Sequence, residues 1–335
     1  MTTRRLTVLV GALVLVLAAA GALAWNTWFR DGDGEALGDR CQGMLAVDEA
    51  REFFGGASLK VHSDTGEWGG YDTQWCSVHA EGAGGVQLRL QIRPRAAYRA
   101  SGAAEESAAN PIGGGWTGSY SEQDTPKAAV LVDCTPLAGR GLLVMAEVNR
   151  KATELEAGQL LQVARLATES ARAAADHFGC QGALGKRPAK VDRTDGQERP
   201  LAQAAGTCRG AVDGRVAARL GITSVWERPG GRALTEYCGL RRGKSEIFGM
   251  VAYYGPSAQQ ERYLDGRYPG TAEGEYVRSV ECGGALGTAY FKLSPGKAAT
   301  GDGPSGGRTA DLDAPDKVLA SFTAASAHRH GCPAS

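Results

Sequence analysis

Eight cysteines, at positions 41, 76, 134, 180, 208, 238, 282 and 332, limit what this chain can fold into more than any other feature. They divide into two sets of four, with gaps of 35, 58 and 46 residues in the first set and 30, 44 and 50 in the second. The residues around them match in the same order. Cys41-Gln42-Gly43 corresponds to Cys208-Arg209-Gly210, and a short amphipathic stretch follows each. Trp75-Cys76 corresponds to Tyr237-Cys238, each opening a hairpin-like segment that ends in Pro. Cys134 and Cys282 both stand between an apolar run and a Gly-containing turn, and Gly179-Cys180 and Gly331-Cys332 both close a helical stretch. Four landmarks in one order indicate an internal duplication. The first copy is expected over 41–180 and the second over 208–335, separated by a polar linker, 181–207, that is broken by two prolines.

Periodicity gives each copy a mixed architecture. Residues 86–92, Val-Gln-Leu-Arg-Leu-Gln-Ile, alternate apolar with polar, which is the pattern of a strand in an antiparallel sheet with one face in water. The runs AVLVDC and LLVMAEV predict a second hairpin, turned at Gly139 and Gly141. Leu160, Val163, Ala167, Ala171, Ala174 and Phe178 recur at three and four residues and build one apolar helix face. Val318, Phe322 and Ala325 do the same in the second copy, with Asp313 as the expected cap and Pro315 in the first turn. The order read is helix, two strands, loop, two strands, helix. A helix and a sheet each need cover for one apolar face, so the expected fold class is α+β, a helix/antiparallel-sheet two-layer sandwich in each copy.

An even count of cysteines with no C-x-x-C pair points to disulfides rather than a metal. Eight cysteines allow 105 pairings, and confinement to each copy leaves three per set. Antiparallel helices on one sheet face would bring the first and fourth cysteines together, with the second and third bridging across strands. The expected bridges are therefore Cys41–Cys180 with Cys76–Cys134, and Cys208–Cys332 with Cys238–Cys282.

Ahead of the first copy, Leu6 to Trp25 is a run of 20 residues without a charge, and none occurs until Arg30. At about 1.5 Å per residue such a helix spans the roughly 30 Å hydrocarbon core. Arg4 and Arg5 precede it, so the positive-inside bias leaves the N-terminus in the cytoplasm and the rest of the chain outside. Ala22-Leu23-Ala24 imitates a cleavage site, but the run exceeds the usual signal-peptide core of about 7–15 residues. Residues 1–30 are read as cytoplasmic tip and transmembrane helix, and 31–40 as a juxtamembrane linker.

Lys+Arg and Asp+Glu both number 37, so the chain has no cationic excess with which to hold a nucleic-acid backbone. The first copy is net acidic and the second net basic, which is compatible with docking of one on the other, although surface charge of this size is more often solvated. With 48 glycines and frequent Ala and Arg, the composition resembles exported, membrane-anchored proteins of high-GC actinobacteria. That resemblance implies an extracytoplasmic location and carries no activity with it.

No catalytic set emerges from the residues. Residues 301–307, Gly-Asp-Gly-Pro-Ser-Gly-Gly, satisfy both a nucleophile-elbow and a dinucleotide-loop pattern, yet they sit in a small-residue loop without the flanking strand and helix. His328 and His330 are two apart, on different faces of a helix, and read as a solvated helix end. Neither cofactor nor metal is expected. The longest unrepeated loop carries Tyr98, Trp116 and Tyr120, and aromatic rings on a Gly-rich loop suit a binding surface. The reading is a non-catalytic, single-pass membrane protein whose tandem ectodomain binds an envelope ligand or protein. The alternatives are a cell-envelope hydrolase using acidic residues and a structural subunit of a membrane complex.

Overall fold

The computed structural model describes residues 37, 39–68, 70–82, 84–97, 109–122, 125–149, 155, 157–192, 195–267, 276–296 and 313–333. The expected membrane segment, Tyr98 and the 301–307 loop lie outside them. Among the described residues no helix is long and apolar enough to cross a membrane.

The chain is α+β, with two antiparallel sheets and four disulfides. Helix α1 (Val47–Phe53) leads into strands β1 (Leu59–Trp68), β2 (Tyr71–Ala80) and β3 (Gln87–Pro94). Then come β4 (Asn110–Pro111), β5 (Thr117–Ser121), β6 (Lys127–Asp133) and β7 (Gly141–Asn149), followed by α2 (Ala157–Phe178). The second half begins with β8 (Gln197–Pro200), α3 (Gly214–Leu220), β9 (Ser224–Glu227), β10 (Thr235–Arg242) and β11 (Ser245–Tyr253). It continues with α4 (Pro256–Arg267), β12 (Tyr276–Gly283), β13 (Gly287–Pro295) and α5 (Ala314–His330).

The first sheet runs β1-β2-β3-β7-β6-β5-β4 and the second β12-β13-β11-β10-β9-β8. Five strands of each correspond in order: β1, β2, β3, β7 and β6 match β9, β10, β11, β13 and β12. The duplicated unit thus has three consecutive strands before the loop, where the periodicity gave two. β1 escaped because only Leu59 and Val61 are buried along its apolar face, while His62 to Glu67 are exposed, the composition of a guarded sheet edge.

Helix α2 lies on one face of the first sheet. Its Leu160, Val163, Ala167, Ala171 and Ala174 are fully buried against Leu90, Ile92, Val130, Val132, Leu142 and Val144. Alanine on this helix lets the backbone approach the branched side chains of the sheet. Val318 and Phe322 of α5 pack in the same way against Phe291, Leu293 and Met250. Asp313 precedes α5 but makes no side-chain capping bond, contrary to the expected cap; the helix entry is set by Pro315 in the first turn.

Bridges join consecutive cysteines: Cys41–Cys76, Cys134–Cys180, Cys208–Cys238 and Cys282–Cys332. All stay within a copy and both copies choose the same scheme, as duplication requires, but the nested pairing is wrong. Sheet order explains the correction. β3 and β7 separate β2 from β6, and β11 and β13 separate β10 from β12, so Cys76 and Cys134, like Cys238 and Cys282, stand three strands apart. At roughly 4.8 Å per strand step that is about 14 Å, well beyond the 4.4–6.8 Å or so between the Cα atoms of a bridge. The C-terminal end of the last helix instead returns over the end of β6 or β12.

Peptide mapping of the unreduced protein should recover these four consecutive pairs and no cross-copy species. Replacing both members of Cys208–Cys238 with Ala, which opens a link across 30 residues, should cost about 3–4 kcal/mol by urea unfolding on the chain-entropy account.

Candidate functional site

The β6–β7 part of the first sheet is covered on both faces, and this builds the site. Opposite the α2 core, Ala129, Leu131, Leu143 and Met145 form a second buried cluster with Leu234 and Ala285 of the second copy. That is why the β6 and β7 sequences run almost continuously apolar instead of alternating: each face has a partner. The close fit needs residues without side chains. A Cβ on Gly141 would come within 2.8 Å of the Ala285 Cβ, and one on Gly255, which also has φ +57, within 2.6 Å of Leu131 Cδ2.

Hydrogen bonds fix the register of the docked copies. Gly118 N donates to Arg232 O at 2.8 Å, and Leu234 N donates to Ser119 Oγ at 2.7 Å, so the loop before β10 lies along β5. Arg228 Nη1 donates to Asn110 Oδ1 at 3.3 Å. At the end of β6, Asp133 Oδ1 accepts from Ala285 N at 2.5 Å.

Where these contacts end, a cleft of about 260 Å³ remains. Corresponding corners of the two copies converge on it. Asp133, next to Cys134, lines it beside Gly284 and Ala285, with Cys282 and Gly283 from the same turn and His330 and Gly331 from the end of α5. Trp116, Thr117 and Leu131 supply first-copy wall, and Arg232 supplies a cation. A Cβ on Gly331 would lie 3.3 Å from an Arg232 Nη2, which places the guanidinium beside the helix end.

Of the aromatic loop residues, Trp116 and Tyr120 are both buried, so they do not form the exposed binding patch expected of them. They hold the linker down. Trp116 Nε1 donates to Lys186 O at 2.8 Å, Lys186 N donates to Gly114 O at 2.7 Å, and the Tyr120 hydroxyl donates to Asp192 O. Burial pushes the Tyr120 phenol up to about 12. Arg187 adds a bidentate pair to Glu49 at 2.8 and 3.0 Å. Residues 181–192 are therefore a strap on the first copy, and 197–200 are β8 of the second sheet, where the sequence read a polar linker.

His330 departs furthest from expectation. It is buried, not solvated: its ring stacks on Tyr254 at 3.5 Å between centroids, with Nδ1 3.0 Å from Ser326 O and Nε2 2.8 Å from Ala233 O. Beneath it Glu236, whose side chain has no exposure, accepts from Arg329 Nη2 at 2.6 Å and Ser326 Oγ at 2.7 Å. Burial works against the Arg329 charge, but Glu236 outweighs it and raises the guanidinium above its ordinary pKa. Burial also holds the Tyr254 phenol well above its usual range. Serine, histidine and glutamate meet here without forming a nucleophile relay. Neither ring nitrogen is bonded to Ser326 Oγ; both face main-chain carbonyls, while the hydroxyl is bonded to the carboxylate. The cluster ties α5 to β10, and through Ala233 it fixes the loop that carries Arg232.

Among the described residues no group of His, Cys, Asp and Glu could hold a metal ion. No family model, no curated protein and no solved structure matches the chain.

Arg329→Met should strand the buried Glu236 carboxylate and destabilise the second copy by about 3–5 kcal/mol in urea unfolding. Adding Glu236→Gln to that variant should restore much of the loss. A single variant within about 1 kcal/mol of the parent would show that the pair is not needed for folding.

Proposed function

We propose that this chain is a non-catalytic, single-pass membrane protein whose two extracytoplasmic copies dock to form a binding site for a small polar ligand of the cell envelope. The observation that carries the reading is the cleft itself, built where equivalent corners of the two copies meet. Ligand sites favour junctions between domains, where concave walls bring together polar groups from separate elements. Here the walls offer an indole, an imidazole, one carboxylate, one guanidinium and glycine-rich backbone in a space of about 260 Å³. Four disulfides support an oxidising compartment. The uncharged run Leu6 to Trp25 behind Arg4 and Arg5 supports anchoring with the N-terminus in the cytoplasm. Equal numbers of acidic and basic residues argue against a nucleic-acid partner.

Location and site are tested separately. In intact cells a membrane-impermeant lysine reagent should label residues beyond Arg30, and the protein should stay with the membrane after a high-salt wash; labelling only after lysis would overturn the exported reading. For the cleft, a library of small polar fragments should include members that shift the Trp116 indole resonance selectively. If none moves it, the cleft is a packing gap and not a site.

A further inference from the structure

The cleft carries two opposite charges that the fold does not place in an ion pair with each other or with another side chain. Asp133 and Arg232 both line it, and both are exposed. Several charges set close to the packed interior are matched, Glu236 with Arg329, Glu49 with Arg187, and Lys292 with Glu261 and Asp265, whereas the buried Arg93 meets only the Ala97 carbonyl. Among the described residues neither the Asp133 carboxylate nor the Arg232 guanidinium has a salt-bridge partner. Asp133 Oδ1 accepts from Ala285 N, which leaves the carboxylate with capacity for further donors. The Arg232 fork retains its donors.

Rest on the cleft as a binding site, and these charges restrict the ligand. A simple anion on Arg232 shares the cleft with Asp133, and a simple cation on Asp133 shares it with Arg232, so like-sign repulsion opposes either. A molecule bearing both signs satisfies both walls. Size restricts it again, since about 260 Å³ lies just below the roughly 300–1,000 Å³ of ordinary small-molecule sites, which suits a ligand of amino-acid or dipeptide size. Gly283, Gly284 and Gly331, with φ of +74, +51 and +74, bring backbone without side chains to the wall, which leaves the cleft open beside the two charges.

We propose that the cleft takes a zwitterionic ligand of amino-acid or dipeptide size, its carboxylate on Arg232 and its ammonium on Asp133. The proposal deepens the binding reading above and depends on it.

Isothermal titration of the full-length protein in detergent with L-alanyl-L-alanine tests it, alongside the N-acetylated dipeptide, which lacks the ammonium, and the dipeptide amide, which lacks the carboxylate. The free dipeptide should bind at least tenfold more tightly than either blocked form. Arg232→Gln should weaken the free dipeptide at least tenfold and leave the amide unchanged. Asp133→Asn, which keeps an acceptor for Ala285 N and so preserves docking, should weaken the free dipeptide and leave the acetylated form unchanged. Equal binding of all three probes, or variants that bind the free dipeptide as the parent does, would overturn the proposal. So would failure of the dipeptide to bind at all. A fragment that still moves the Trp116 resonance in either case would leave the cleft standing as a site for another chemistry, whereas silence from every fragment would remove both readings.

Discussion

The β6–β7 hairpin presents apolar side chains on both faces, and the arrangement of the chain follows from covering the second one. A sheet with one helical layer normally leaves its other face to water. Here Ala129, Leu131, Leu143 and Met145 would form a contiguous apolar patch on an isolated first copy. Leu234 and Ala285 cover it, and the loops carrying them arrive only if β10, the β12–β13 turn and the end of α5 are already in place. Docking is thus a packing requirement of the first copy.

Divergence between the copies occurs at opposite edges of the shared five-stranded unit. The first sheet gains β5 and β4 beyond β6, and the second gains β8 beyond β9. The additions differ in consequence. β5 places Gly118 and Ser119 where the 228–234 loop can bond to them, and brings Trp116 and Thr117 to the cleft. β8 extends the opposite side and anchors the incoming chain. The five-stranded unit common to both halves is the scaffold, and β5 with the residues just before it adds Trp116 and Thr117 to the wall that Leu131 and Asp133 of β6 already form.

Much of this was legible in the residues. The duplication, the β2–β3 and β6–β7 hairpins and the amphipathic last helices followed from cysteine landmarks and periodicity, because those signals are local. What failed was non-local. Disulfide partners depend on strand order, and no pattern within a strand says that β3 and β7 lie between Cys76 and Cys134. Trp116 and Tyr120 looked like contact residues because their loop is rich in glycine, whereas the strap that buries them had been read as a polar linker. His330 looked solvated at a helix end, but Tyr254 and Ala233 come from 76 and 97 residues away in sequence to enclose it. One hint of docking was present: AVLV and LLVM lack the alternation of a half-exposed strand. Read as a two-faced strand pair, they would have predicted a covering layer, though not the cleft at its border.

Consecutive pairing of the cysteines also bears on how such a chain could be made. If the polypeptide crosses a membrane from its N-terminus, cysteines reach the oxidising side in the order 41, 76, 134, 180, 208, 238, 282, 332, and each native bond joins a cysteine to the next to appear. An oxidant acting on neighbours as they emerge would make the native set directly, without a reshuffling enzyme to undo wrong bonds. The nested scheme would have held Cys41 reduced until Cys180 had crossed. Connectivity of this kind suits a secretion route that supplies an oxidant but little isomerase.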